Sequence, residues 1–198
     1  MEEDIQKKLV SLCNLLPVHV DLWKTILQSL QSPVKALGNF AEQLQFVEKA
    51  TNTYMDDFEE LQRQLGTKIL ENIEEELQAI KTLMETLDKS NHNLKNKLAI
   101  LEKSTIDLDW DNDSFITKGT PIQPPLRQIL QMAYEFWLYF SRASKTINSE
   151  LKNINFRDEK SMEQLQNAFS LSLEVHNNRE VYGILALTQY VVNEKAVT

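Results

Sequence analysis

The chain has 198 residues, of which 42% are apolar and 25% are charged, as expected for a globular protein of one domain or two small ones. It contains only 4 glycines and 5 prolines, which argues against a turn-rich β fold and favours long helices. The net charge of -8 is spread over both halves, and no basic stripe is present that would neutralise phosphates. Composition therefore speaks against direct binding to nucleic acid.

Cysteine usage and hydropathy give no sign of secretion or of a membrane. The single cysteine, Cys13, cannot form an internal disulfide, and we expect it to serve as a small apolar residue. The N-terminus, MEEDIQKKLVSL, is too charged for a secretory signal and too acidic for a transit peptide. The most apolar run, Val181 to Val192, is too short to span a bilayer and is predicted to be a core segment, so we expect no membrane partner.

The first fifty residues carry three successive helical patterns. Apolar residues recur every three or four positions over Glu2–Asn14, over Val18–Leu30 and from Ser32 to Ala50. Pro17 is expected to interrupt or kink the first pattern, and Pro33 follows Ser32 as a proline follows an N-cap. One long, slightly bent helix is the alternative to three separate ones.

A long pattern from Asp56 to Lys103 follows a break in periodicity at Thr51–Tyr54. It first repeats in steps of four, at Leu61, Leu65, Ile69, Ile73 and Leu77. It then settles into heptad pairs: Leu77/Ile80, Met84/Leu87, Asn91/Leu94 and Leu98/Leu101. About four such repeats suffice for a coiled-coil-like seam. Asn91 is either a buried asparagine that specifies the register or the number of the packed helices, or a solvent-facing residue where the helix packing is loose.

Residues 106–125, IDLDWDNDSFITKGTPIQPP, form the clearest linker, and we predict that they are not helical. Four aspartates alternate along it: Asp107, Asp109, Asp111 and Asp113. The glycine and the bidentate glutamate of an EF-hand are missing at their spacing, so we do not predict a calcium site. We expect the acids to keep the loop solvated and to attract a basic partner, with Trp110 and Phe115 as apolar anchors.

The strongest helix after the heptads runs from Leu126 to Leu151. Residues such as Tyr134 and Phe136 make its apolar face wider than the stripe needed to pack against one neighbouring helix. A helix of this kind is central in a core or presents a second face to a partner. Two further helices are predicted over 158–175 and 179–192, and a buried strand is the alternative for the last because of its β-branched residues.

No motif in the chain carries chemistry. The three histidines, His19, His92 and His176, are scattered and lack zinc-site spacing. Glycine-rich phosphate loops and nucleophile elbows are missing, and acidic pairs such as Glu59-Glu60 lie on predicted solvated helix faces. We therefore predict no catalytic site, no cofactor and no metal. A helical enzyme would instead require a deep polar pocket with perturbed titrating groups.

The segment Leu22 to Gln45, LWKTILQSLQSPVKALGNFAEQLQ, carries the most specific pattern. Leu22-Trp23 is followed by a spacer, by Asn39, and by the run Ala41-Glu42-Gln43-Leu44-Gln45. This resembles the N-terminal helix of the ribosome maturation factors known as AIRIM, whose fingerprint is Leu-Trp, a spacer and Asn-x-Ala-Glu-Gln-Leu-Gln. Length, helix order, the proline-containing linker and the aromatic helix also fit over residues 5–170. The last long helix is less basic than the resemblance implies.

The resemblance implies a non-enzymatic adaptor without a cofactor, located in the cytoplasm and the nucleus. Members of that family pair as a heterodimer with a second small helical protein of the cyclin-dependent-kinase-interacting type. The pair sits on a hexameric AAA+ ATPase that releases maturation factors from pre-60S ribosomal particles and unfolds substrates on chromatin. The alternative is a coiled-coil structural subunit of another complex, such as a vesicle tether or a kinetochore component.

We predict an all-α fold, an elongated bundle of long amphipathic helices with coiled-coil-like segments. Residues 1–105 would form a long-helix hairpin, 106–125 an acidic, proline-containing linker, and 126–198 a helical segment packing on the first, as one structural unit. Aromatic residues dominate interaction hot spots, although each is at least as often plain core. The residues predicted to anchor a partner are Trp23, Phe40, Leu44, Trp137 and Phe140.

Overall fold

The computed structural model describes residues 1–51, 57–173 and 179–193. Within these ranges the chain forms six helices and no strand, which confirms the all-α prediction. The helices are α1 (Glu2–Lys49), α2 (Phe58–Ser104), α3 (Phe115–Lys118), α4 (Leu126–Asn153), α5 (Glu159–Leu173) and α6 (Arg179–Asn193). The last segment is therefore a helix and not a strand. Most of the predicted break at Thr51–Tyr54 lies outside the described residues.

Helix α1 continues through both Pro17 and Pro33, so the alternative of one long helix is confirmed. A proline inside a helix removes one backbone hydrogen bond and costs about 3 kcal/mol. The apolar stripe keeps its phase across both positions, with Leu16 and Val20 buried around Pro17 and Leu30 and Val34 buried around Pro33. Burial of each such side chain contributes about 1.5–3 kcal/mol, which offsets the cost of the prolines.

Helix α2 buries its heptad positions from Ile80 to Leu101, as predicted. Its coiled-coil character stays a prediction. The earlier row of four-residue steps behaves differently, because Ile69 and Ile73 are buried whereas Leu61 and Leu65 are exposed. Four residues turn about 40° past a full helical turn, so such a row winds around the helix and cannot face one core along its whole length.

The predicted linker, 106–125, is non-helical as expected except at α3, whose four residues correct the prediction, and its four aspartates are exposed. Ser114 caps α3 with its side chain and Thr117 reciprocates, which closes a capping box. Ile116 and Gln123 are fully buried. Gln123 exchanges side-chain hydrogen bonds of 2.8 and 3.3 Å with Gln6 of α1. These contacts fasten the segment to the first helix.

The described residues divide into two compact units that cut across the predicted ranges, because each takes part of α1, α2 and α4. Unit 1 comprises Met1–Lys24, Leu87–Ala143 and α6. Its core is formed by the apolar stripes of these segments. Helix α6 contributes side chains at spacings of three and four, which include Val181, Ile184, Thr188 and Val191.

Unit 2 comprises Thr25–Thr86 and Ser144–Leu173. Gln62 of α2 donates its side-chain amide to the carbonyl of Ala50 just after α1 at 3.0 Å, and Arg157 pairs with Glu48 at 2.7 Å. A cleft of about 310 Å³ lies between α1 and α5. Among the described residues, no helix is both long enough and apolar enough to cross a membrane.

Candidate protein-interaction surface

The five predicted anchors occupy two kinds of position. Trp23, Leu44 and Phe140 are buried inside the chain, whereas Phe40 and Trp137 are half-buried. A buried side chain cannot meet a partner unless the chain opens, so only Phe40 and Trp137 present surface to one in this conformation. Whether any of the five binds a partner stays a prediction.

An aromatic cluster forms the centre of unit 1. The ring of Phe140 lies 5.0 Å from that of Trp23 and 4.9 Å from that of Phe136, both tilted. His19 packs edge-on against Phe140, with ring centroids 4.6 Å apart. Such tilted and edge-to-face pairs are the preferred geometries of aromatic rings. The cluster fixes the first part of α1 against α4.

Asn91 is buried next to this cluster and does not face solvent, whereas a role in specifying register or partner number stays a prediction. Its side-chain oxygen accepts the indole N–H of Trp23 at 3.3 Å, and its amide donates to the backbone carbonyl of Phe140 at 3.5 Å. Both contacts cross between helices of the same chain. A buried polar side chain with satisfied hydrogen bonds favours one register over its neighbours.

His19 is a buried polar residue that the sequence did not single out. It lies three residues after Leu16 and four before Trp23, and this spacing on an apolar stripe was the available signal. Its Nδ1 lies 2.7 Å from the hydroxyl of Ser90, and its Nε2 has no hydrogen-bond partner among the described residues. Burial lowers the pKa of His19 to about 4, so the ring is neutral at physiological pH. His92 is exposed, and His176 lies outside the described residues.

One flank of α4 carries apolar side chains that unit 1 leaves partly uncovered. We call this surface the α4 flank, and it consists of Leu130, Tyr134, Trp137 and Leu138. Spacings of three and four place the four residues on one side of the helix. Tyr134 is 47% exposed, and its ring lies 5.5 Å from the ring of Trp137.

A cation completes the α4 flank. The ammonium group of Lys95 in α2 lies over the Trp137 ring, 5.1 Å from its centroid. This distance is within the range of a cation–π interaction, which contributes about 0.5–1 kcal/mol at an exposed site. Trp and Tyr are the residue types enriched in protein-interaction hot spots, whereas lysine is depleted at interfaces.

The acidic loop between α2 and α3 exposes its four aspartates and packs one of its two aromatic residues against α4. Trp110 is half-buried and its ring stacks under the guanidinium of Arg127, 5.5 Å away, whereas Phe115 is exposed. Asp113 pairs with Lys118 at 3.4 Å. No group of three or more potential metal ligands occurs in the part of the chain that the structure describes.

The arrangement supports binding more readily than catalysis. The cleft in unit 2 is lined by four apolar residues, such as Leu30 and Phe169, and by four polar ones, of which Lys35 is the single titratable residue among those described. Burial raises the pKa of the Cys13 thiol to about 12, which keeps it protonated and unreactive. Neither feature places a nucleophile beside a base.

Comparison with known proteins gives one match that spans nearly the whole chain. A family model described as CA109-like, ribosome biogenesis protein C1orf109-like, matches residues 3–190. The comparison with curated proteins finds no match.

Proposed function

Because the chain belongs to the C1orf109-like family of ribosome biogenesis proteins, which is the AIRIM family, we propose that it is a non-enzymatic adaptor. In this proposal it is a subunit of a hexameric AAA+ ATPase complex that acts in pre-60S ribosome maturation. It pairs there with a second small helical protein of the cyclin-dependent-kinase-interacting type, and it works in the cytoplasm and the nucleus. No direct contact with nucleic acid is required of it.

The observation that carries the proposal is the α4 flank. An adaptor needs a preformed surface with large apolar side chains that its own core leaves uncovered, and Tyr134 and Trp137 supply one. The Lys95 ammonium over Trp137 reduces the side-chain freedom that would be lost on binding. A helix of a second protein packing here would bury these rings and gain about 25 cal/mol per Å² of apolar surface.

Affinity purification of the tagged chain from its own cells, followed by mass spectrometry, tests the assembly. We expect a AAA+ ATPase and a second small helical protein at near-stoichiometric levels. The buried heptad positions of α2 suit a coiled-coil subunit of another complex as well. Recovery of vesicle-tether or kinetochore subunits in place of the ATPase would favour that alternative and overturn the adaptor proposal.

The surface is tested by Trp137→Ala in the same purification. We expect loss of the helical partner with helicity largely intact by circular dichroism. The control is Tyr182→Ala, which removes an aromatic ring of 43% exposure from α6 and so matches Tyr134, which is 47% exposed. If Trp137→Ala unfolds the chain, Tyr134→Ala replaces it, because Tyr134 is more exposed and contributes less to the core. Normal partner recovery with a folded Trp137→Ala variant would exclude the α4 flank.

A further inference from the structure

The cleft between α1 and α5 in unit 2 combines an apolar floor with a polar rim, and we call it the α1–α5 cleft. Its volume is about 310 Å³. The floor is formed by four side chains that are each at most 6% exposed, such as Leu30 and Phe169. The rim consists of four exposed polar residues, two on each helix and four positions apart: Gln31, Lys35, Gln166 and Ser170. Spacing of four keeps each pair on one side of its helix.

Gly38 makes room for one of the rim residues. An added Cβ at this position would lie 2.9 Å from Nε2 of Gln166, so the missing side chain lets Gln166 lie against α1. The side-chain amides of Gln166 and Gln31 form no hydrogen bond with any other described residue. Their donors and acceptors are therefore available to a ligand in the cleft.

The surface around the cleft is almost free of charge. From Thr25 to Ala41, α1 carries a single charged residue, Lys35, and α5 carries none from Gln164 to Leu173, although 25% of the whole chain is charged. Lys35 forms no ion pair with a described residue. Glu42 and Glu163, the carboxylates nearest to the rim within the two helices, do not line the cleft. One unpaired cation in a neutral surface favours a ligand that brings a carboxylate.

The size and surroundings of the cleft favour a peptide over a small molecule. Pockets for drug-sized ligands have volumes of about 300–1,000 Å³, so this cleft lies at the lower limit. The neutral surface of α1 continues beyond the lining, to exposed polar residues that a small ligand would not reach: Gln28, Ser29, Ser32 and Asn39. Depletion of charged residues is also typical of the core of a protein interface. A peptide could place one large side chain in the cleft and its backbone along these groups.

From these observations we propose that the α1–α5 cleft docks a segment of a partner protein that carries one aromatic side chain next to an aspartate or a glutamate. The ring would lie on Leu30 and Phe169, and the carboxylate would meet Lys35. Aromatic anchors in a pocket dominate binding energy, whereas a charge pair at the rim adds specificity. The inference does not rest on the proposed AAA+ assembly, because that proposal is carried by the α4 flank of unit 1.

The test begins with a library of short random peptides displayed on phage and selected on the full-length chain. The same library is selected in parallel on the Lys35→Glu variant, whose cleft carries the opposite charge. Enriched peptides are synthesised with a fluorescein label, and fluorescence anisotropy gives their affinities. Circular dichroism verifies that each variant keeps the helicity and the Tm of the wild type. Peptides that lose affinity in Trp137→Ala bind the α4 flank and are set aside.

Two pairs of variants separate the cleft from the surface around it. Ser170→Trp fills the cleft, and Asn167→Trp places the same side chain at an exposed position of α5 outside the lining. Lys35→Gln removes the cation of the rim, and Lys49→Gln removes an exposed cation from the same helix outside the lining.

We expect peptides that combine an aromatic residue with an acidic neighbour in the wild-type selection, and with a basic neighbour in the Lys35→Glu selection. Their affinity for the wild type should fall by about tenfold or more in Ser170→Trp, because the aromatic anchor loses its site. In Lys35→Gln it should fall by about two- to fivefold, as for an exposed ion pair, and added salt should reduce this difference. Asn167→Trp and Lys49→Gln should bind as the wild type does.

Three outcomes would overturn the proposal. One is that no enriched peptide loses more affinity in Ser170→Trp than in Asn167→Trp. Another is that the wild type and Lys35→Glu select peptides with the same charge beside the aromatic residue. The third is a dimer of the wild-type chain in sedimentation that Ser170→Trp dissociates, which would identify a second copy of this chain as the occupant.

Discussion

Trp23 of α1 donates its indole N–H to the side-chain oxygen of Asn91 in α2, across 3.3 Å in the buried core of unit 1. The two residues are 68 positions apart in the chain. Trp23 belongs to the family-like pattern at the N-terminus, and Asn91 is the single polar residue among the heptad positions that α2 buries from Ile80 to Leu101. Their hydrogen bond links these two sequence features and favours the register in which the two residues meet.

Replacement of Asn91 should destabilise unit 1. Asn91→Ala leaves the Trp23 indole N–H without its acceptor and removes the donor to the Phe140 carbonyl. We expect a loss of about 1–3 kcal/mol in the free energy of unfolding, measured by urea denaturation. Asn93→Ala, at an exposed position of the same helix, is the control and should cost less than about 0.5 kcal/mol. Equal costs for the two variants would contradict the structural role of Asn91.

His19 should make stability depend on pH. Its folded-state pKa of about 4 lies below the usual histidine pKa of 6.5, so between these two values the unfolded chain binds a proton that the folded chain does not. The free energy of unfolding is therefore highest, as far as His19 is concerned, above pH 6.5. It falls by about 3 kcal/mol in all as the pH is lowered from 6.5 to 4. The urea midpoint of the wild type should therefore fall through this window more steeply than that of His19→Leu. Parallel curves for the two proteins would show that His19 does not titrate as the structure indicates.

Two glycines should respond in opposite ways to alanine. Gly119 has a φ of +79°, and an added Cβ would lie 2.7 Å from the Gln123 carbonyl oxygen, so Gly119→Ala should destabilise by about 1–3 kcal/mol. Gly66 lies within α2, and an added Cβ would meet no atom within 4 Å apart from its chain neighbours and the nearby backbone of its own helix, so Gly66→Ala should stabilise by about 0.5–1 kcal/mol. The Tm of each variant, measured by thermal unfolding and compared with that of the wild type, tests both predictions. A change in Tm of the same sign in both would be inconsistent with these backbone conformations.

Cys13 should be protected from alkylation in the folded protein. It is buried, and its raised pKa of about 12 leaves almost no thiolate at neutral pH. Iodoacetamide should label the native chain slowly, at a rate set by opening of unit 1, and the urea-unfolded chain quickly. Because it is the single cysteine of the sequence, intact-mass spectrometry reads its modification directly. Rapid labelling under native conditions would mean that α1 opens readily at this position.

The helical periodicity alone predicted most of the secondary structure. Helices α2, α4, α5 and α6 fall where spacings of three and four place them, and the buried heptads of α2 match the predicted pairs. Single residues that usually end a helix, such as proline, predicted the helix boundaries less well. Pro17 and Pro33 did not end α1, because a proline costs one hydrogen bond whereas the stripe on both sides of it buries several large side chains.

The sequence by itself determined that this protein is all-helical and which side of each helix is apolar, because those properties depend on spacing along the chain. It also carried the family resemblance, which the match over residues 3–190 confirmed. Only the tertiary structure decided that Trp23 and Phe140 are core while Trp137 lies on a flank, and that Leu61 stays exposed while Ile69 is buried. A broad apolar face shows only that something must cover it, and the helices that pack against it determine which part is covered.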